Sequence, residues 1–152
     1  MSTAQNKVLV RRFLDEVISK ASLAVADELC AANFAWHGAG VADVPDLATF
    51  KQLLPAFFAA FPDLTVTPED LVAEGDRVVA RYTWRGTHRG EFQGLSPTGR
   101  NVTVRGVGIF RIASGKIVEE WWQEDLLGLL RQLEAIPAAG QVSVPGTDSP
   151  RR

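Results

Sequence analysis

The chain is poor in the residues that build metal centres and covalent cross-links: it has one cysteine, Cys30, and two histidines, His37 and His88. A single cysteine excludes an intrachain disulfide and makes no use of an oxidising compartment, so a cytoplasmic location is expected. Cys30 itself reads as a small buried hydrophobe. Two histidines exclude a histidine-rich metal site, no tight acidic set replaces it, and no metal is expected. The phosphate-binding glycine loop, the Rossmann fingerprint, CxxC and HExxH are all missing, so no cofactor is expected either. No uncharged apolar run approaches the ~18 residues of a membrane span, and Met1 to Lys20 carries charges throughout, unlike a signal peptide. A dominant charge sign is lacking too: the net charge is −2, without long single-sign blocks. That argues against nucleic acid or an anionic membrane as partner and favours a small hydrophobic organic molecule.

What the chain has is apolar material, 46% of 152 residues, enough for one real core and too little length for two independent domains. From Gln5 to Ile18, the residues Val8, Val10, Phe13, Leu14, Val17 and Ile18 recur at helical spacing. A shorter helix runs from Ser22, a candidate N-cap, to Cys30. Phe34 to His37 reads as a brief strand. A third helix starts near Asp46, repeats Phe50, Leu53, Leu54, Phe57, Phe58 and Phe61, and carries Pro55, which predicts a kink. After Asp63 the period becomes alternating: Leu64 to Ala73, a turn at Glu74-Gly75-Asp76, then Arg77 to Thr87. A loop, His88 to Arg100, precedes the strand Asn101 to Ile112. A turn at Ala113-Ser114-Gly115 returns the chain as Lys116 to Asp125, and a short helix, Leu126 to Leu133, ends the domain. The expected fold is α+β: a cone-shaped, curved antiparallel sheet with the three N-terminal helices packed on its concave side. The domain is placed at 1–136, and 137–152, rich in Gly, Ala, Ser and Pro, is read as a C-terminal tail.

The strand Lys116 to Asp125 is the most informative segment. Ile117, Glu119, Trp121, Gln123 and Asp125 share one face, and Val118, Glu120, Trp122 and Glu124 the other. If the first set is concave, Trp121 and Gln123 line the pocket and Asp125 enters it beside an apolar wall. Desolvation then raises the Asp125 pKa and suits it to proton exchange near neutral pH. The competing reading is that Asp125 only caps the helix at Leu126. His37 is a candidate to polarise a carbonyl or exchange a proton. His88 is either a pocket lip or a solvated turn. Trp36, Phe57 and Phe61 are candidate lining residues. Arg81, Arg85, Arg105 and Arg111 are expected to pair with Glu119 or Glu120 on the outer sheet surface.

The order of segments then becomes familiar. Val10-Arg11-Arg12-Phe13, Phe34-Ala35-Trp36-His37, Ala60-Phe61-Pro62-Asp63-Leu64, Arg85-Gly86-Thr87-His88-Arg89-Gly90, Gly115-Lys116-Ile117-Val118-Glu119-Glu120-Trp121 and Asp125-Leu126-Leu127-Gly128-Leu129-Leu130 together resemble the SnoaL-like polyketide cyclase family, also called ester cyclases, within the nuclear-transport-factor-2-like superfold. The resemblance covers about Gln5 to Leu133. It implies a cone-shaped barrel, a homodimer, and a cofactor-free intramolecular aldol condensation. It also implies that Asp125, at the end of the final long strand, is the acid/base, with His37 as a pocket histidine. The alternatives are an epoxide hydrolase or isomerase of the same superfold, built on an Asp-Arg-Asp set, and a non-catalytic small-ligand binding protein.

Overall fold

Ser2 sets the start of the first helix. Its hydroxyl accepts the Gln5 N–H at 3.1 Å while the Gln5 side chain accepts the Ser2 N–H at 2.8 Å, a reciprocal cap. The computed structural model describes residues 1–38 and 42–137. Helix α1, Thr3–Arg12, passes without a break into wider π-helical turns at Phe13–Ser19. Its buried face is Leu9, Val10, Phe13, Leu14 and Val17. At the end of the π turns the Ser19 hydroxyl donates to the Leu14 carbonyl and accepts the Val66 N–H at 2.8 Å, so the helix satisfies an amide of the adjacent edge strand.

Helix α2, Leu23–Leu29, leads directly into strand β1, Cys30–Gly38, which is longer than its aromatic stretch predicts. Helix α3, Leu47–Ala60, begins at Asp46, whose carboxylate accepts the Thr49 N–H at 2.7 Å, and runs through Pro55 without ending. Strands β2 (Thr65–Glu74), β3 (Arg77–Thr87), β4 (Asn101–Ala113) and β5 (Lys116–Glu124) follow, and helix α4, Leu126–Gln132, closes the described domain. The tail assigned to 137–152 lies outside the described residues apart from Pro137.

The sheet order is β1-β5-β4-β3-β2, with β2 to β5 antiparallel and β1 parallel to β5. The parallel pair corrects the expectation of a wholly antiparallel sheet. β1 and β5 are joined through α3 and three other strands, a connection long enough for parallel pairing, whereas the other neighbours are joined directly in sequence. Register shifts interrupt β1, β2 and β5. Such bulges bend strands, which curls the sheet around its helices. One core cluster joins Phe13, Phe34, Phe50 and Phe110, and a second joins Phe61, Tyr82, Trp84, Val104 and Leu129. No helix among the described residues is long and apolar enough to cross a membrane.

Candidate active site

One bulge decides which acids face the interior. Ile112 pairs with Ile117 and Arg111 with Glu119, so Val118 is an extra residue without a partner. Ile117 is fully buried and points inward. The added residue reverses the alternation, and the inner face continues as Glu120, Trp122 and Glu124. Trp121 and Gln123, expected in the pocket, therefore lie on the outer face, where Gln123 is exposed. Asp125 is exposed as well, and its carboxylate accepts the Gly128 N–H at 2.8 Å as the N-cap of α4. The capping reading thus describes its position, and the buried position expected for it is corrected.

His37 follows the same outer parity. Its Cα pairs with Trp121, its ring stacks on that indole at 5.5 Å, and its nitrogens lie 3.0 Å from Asp43 and 3.0 Å from Glu119. Hydrogen bonds with Asp43 and Glu119 raise its pKa. Burial works to raise the Glu119 carboxyl, but hydrogen bonds from His37 and Arg111 outweigh it and the net shift is downward. Arg111 meets Glu119 at 2.9 Å as expected, whereas Arg81 takes Asp70, and Glu120 is not on this surface.

Inside the cone, Glu124 is held by two donors from β3. The Trp84 indole N–H donates to Oε2 at 2.9 Å and the Tyr82 hydroxyl donates to the same oxygen at 3.3 Å. Burial pushes the Glu124 carboxyl up, the two hydrogen bonds partly oppose it, and the result is about 7. Glu120 is 4% exposed. Its pKa is pushed up to about 8 by burial and by the charge of Glu124. Gly106 and Gly108 of β4 make the room. A β-carbon on Gly106 would stand 2.6 Å from the Tyr82 hydroxyl and 2.9 Å from Glu124 Cβ.

Aromatic rings surround these acids. Trp36 packs on Trp122 at 5.5 Å and on Phe50 at 5.9 Å, and Phe57 meets Trp84 edge-on at 5.5 Å. Trp36, Trp122 and Phe57 are half-buried, while Phe61 lies beneath them in the core, fully buried. His88 is neither a solvated turn nor an open lip. It is fully buried beside Phe61, and Thr98 donates its N–H to Nδ1 at 3.1 Å. The loop that carries it is pinned to α3, because Arg89 and Gly90 both donate to the Ala60 carbonyl.

A hollow of about 320 Å³ lies on the outside between α1 and β2, lined by Val8, Arg11 and Pro68 among others. Inside the cone, Trp36 is the β1 partner of Glu120, and Phe57 packs edge-on against Trp84, the donor to Glu124. No arginine is buried among the described residues, so an interior Asp-Arg-Asp set is not assembled, and no group of three potential metal ligands occurs among them. Sequence reading missed Glu120, Glu124, Tyr82, Trp84, Gly106 and Gly108. The available signal was the Gly106-Val107-Gly108 pair of inward glycines in an otherwise bulky strand.

Helices cupped by one curled sheet, with acids facing aromatic rings inside it, define an α+β fold of the nuclear-transport-factor-2-like kind. Residues 8–133 match the family model for SnoaL-like polyketide cyclase. The chain belongs to that family. A proposed SnoaL-like polyketide cyclase from Jannaschia sp. CCS1 is 28% identical, with 89% of this chain and 95% of that one covered and a TM-score of 0.82. AclR, a proposed hydroxylase from Streptomyces galilaeus, is 30% identical over 93% of this chain and 88% of its own, with a TM-score of 0.82. IdmH, a proposed polyketide cyclase from Streptomyces antibioticus, is 33% identical over 86% of this chain and 99% of its own, with a TM-score of 0.75. No curated protein sequence matches the chain.

Proposed function

We propose that the chain is a cofactor-independent acid/base enzyme that closes a ring in a small hydrophobic substrate by intramolecular aldol condensation, with Glu124 as the base. The observation that carries this reading is the Glu124 carboxylate, oriented by Trp84 and Tyr82 in an apolar interior and poised near neutrality. A base with a pKa near the working pH combines a useful ionised fraction with a useful proton affinity. The substrate enters beneath the half-buried rings of Trp36, Trp122 and Phe57, which move aside to admit it. Holding its two reacting ends together supplies orientation, which contributes on the order of 7–11 kcal/mol in well-placed systems. In this reading the acid/base role expected of Asp125 passes to its neighbour Glu124, and His37 holds the outer surface together. The lone, buried Cys30 supports a cytoplasmic location.

The protein works as a homodimer in this proposal, joined through the outer sheet face. Val107 and Ile109 are exposed there beside the half-buried Trp121. The test of the catalytic reading uses an acyclic diketone with three methylenes between its carbonyls, a minimal ring-closure probe. Glu124→Gln is expected to lower its closure by about 100-fold or more, the usual contribution of a positioned acid/base. Asp125→Asn keeps the cap and is expected to stay near wild-type. Undiminished closure by Glu124→Gln overturns the assignment.

A further inference from the structure

β5 carries a second interior acid. Glu120 stands on the same face as Glu124 with Trp122 between them, in register with Phe110 of β4 on one side and Trp36 of β1 on the other. Its carboxyl leans along the strand toward Glu124. Oε1 lies 3.4 Å from the point that a β-carbon on Gly108 would occupy, and Gly108 is the partner of Trp122, the next inward residue toward Glu124. Among the described residues, the sealed side-chain polar atoms without a partner are Asn6 Oδ1 and His88 Nε2. The Glu120 oxygens are not among them, although no hydrogen bond contributes to their titration. Glu120 is thus an interior acid whose carboxyl lies beside the open position of Gly108, on the side facing Glu124.

We propose that Glu120 is a second catalytic residue, delivering its carboxylic acid proton to the substrate carbonyl oxygen while the Glu124 carboxylate removes the neighbouring α-proton. The proposal rests on the reading of Glu124 given above. The substrate is the one that reading requires, a molecule with two carbonyls, one of them carrying an α C–H. The α C–H electron pair becomes the enol double bond, and the carbonyl π pair moves to oxygen, which takes the Glu120 proton. Glu124 is then neutral and Glu120 ionised. The enol carbon attacks the second carbonyl, the new alkoxide takes the proton from Glu124, and Glu120 recovers its proton from the enol hydroxyl as the first carbonyl re-forms. Atoms and charge balance, and both acids return to their starting state.

The surroundings keep Glu120 in the donor form. Burial and the Glu124 charge hold it up at about 8, and no buried cation among the described residues stabilises its anion. The other titratable groups that sense it are the Cys30 thiol, pushed up to about 12 by burial, and the Tyr82 hydroxyl, raised further by burial. Neither ionises near neutrality, so burial and Glu124 alone set its response to pH.

Two probes separate the roles. Opening of a nitrobenzisoxazole needs only a base to take a C–H proton, whereas closure of the diketone also needs a proton on oxygen. Glu120→Gln is expected to lower the ratio of closure to opening by about 100-fold. Glu124→Gln is expected to lower both rates together and leave their ratio unchanged. An unchanged ratio in Glu120→Gln overturns the donor role and leaves Glu124 standing, while full activity of Glu124→Gln overturns the base. A wild-type protein inert toward both probes overturns both. Infrared spectroscopy gives a readout independent of turnover. The carbonyl stretch of a protonated carboxylic acid is expected at neutral pH in Glu124→Gln, where Glu120 is the remaining interior acid, and its loss is expected when Glu120 is replaced by Gln as well. Its absence from Glu124→Gln, or its persistence in the double variant, counts against the donor.

Discussion

The indole N–H of Trp84 donates to Glu124 Oε2 at 2.9 Å although the two residues stand on β3 and β5, with β4 between them. Strands two apart are separated by about 9.6 Å, so the bond crosses the full width of a strand. It can do so because Gly106, the β4 partner of both Tyr82 and Glu124, has no side chain to fill the gap. A half-buried acid, two donors and a missing β-carbon thus form one unit spread over three strands.

Removing the indole donor tests that unit. Trp84→Phe keeps an aromatic ring and deletes the N–H. A hydrogen bond to a charged group contributes roughly 1.5–3 kcal/mol, so the Glu124 pKa is expected to rise by roughly one pH unit or more above about 7. The acid limb of the ring-closure rate then moves to higher pH, and the rate at neutrality falls. A pH-rate profile superimposable on the wild type would show that Glu124 does not titrate in the active form.

The two interior acids also make stability depend on pH. Their folded pKa values, about 8 and about 7, lie above the ordinary 4.5, so the native state holds more protons than the unfolded chain between those limits. Their destabilisation is absent below pH 4.5 or so and grows as pH rises toward 8, by up to about 1.4 kcal/mol per pH unit for each fully engaged group. Urea unfolding at a series of pH values measures it. The decline from these groups is expected to be shallower in Glu120→Gln, which gains on the wild type at the alkaline end. Parallel curves for the two proteins would contradict the burial of this acid as a proton-holding group.

Much of the scaffold was legible, because periodicity reports which face of an element is apolar. The runs Val10 to Ile18 and Phe50 to Phe61, the helix start near Asp46 and the Gly75 and Gly115 turns at positive φ appear where the pattern puts them, whereas Val8 and Leu53, counted on the apolar faces, are exposed. The site was not legible for one local reason. Alternation along β5 was read from Ile117 as if unbroken, and the unpaired Val118 reverses it. A bulge adds one residue and leaves composition untouched, so nothing in the string Ile117-Val118-Glu119-Glu120 marks it. The parallel pairing of β1 was hidden similarly, since strand direction depends on tertiary connection and not on local propensity.

Asp125 gives a discriminating pair of variants. As the N-cap of α4 its carboxylate accepts the Gly128 N–H at 2.8 Å. Asp125→Ala is expected to cost about 1 kcal/mol of stability, and Asp125→Asn a good deal less, because asparagine caps comparably well. Thermal melts of the two variants measure this. Both are expected to retain ring closure at temperatures where they stay folded. A loss of about 100-fold in Asp125→Asn without a fall in melting temperature would return the acid/base role to Asp125 and remove it from Glu124.

The outer sheet face carries the last prediction. His37, Glu119 and Arg111 form a paired row along it, Arg77 lies over the Trp121 ring at 5.1 Å, and the exposed Val107 and Ile109 continue beside them. Apolar residues flanked by neutralised charges suit contact with an identical face related by a two-fold axis, where each residue meets its own symmetry partner or near neighbour. A charge placed at Ile109 would then be buried against its counterpart, a like charge. Ile109→Asp is therefore expected to convert dimer to monomer in sedimentation or light scattering, while the interior hydrogen bond of Trp84 to Glu124 stays intact because it lies on the opposite face of the sheet. A wild-type chain that is monomeric at every concentration measured refutes this interface, and a dimer that survives Ile109→Asp moves the contact elsewhere.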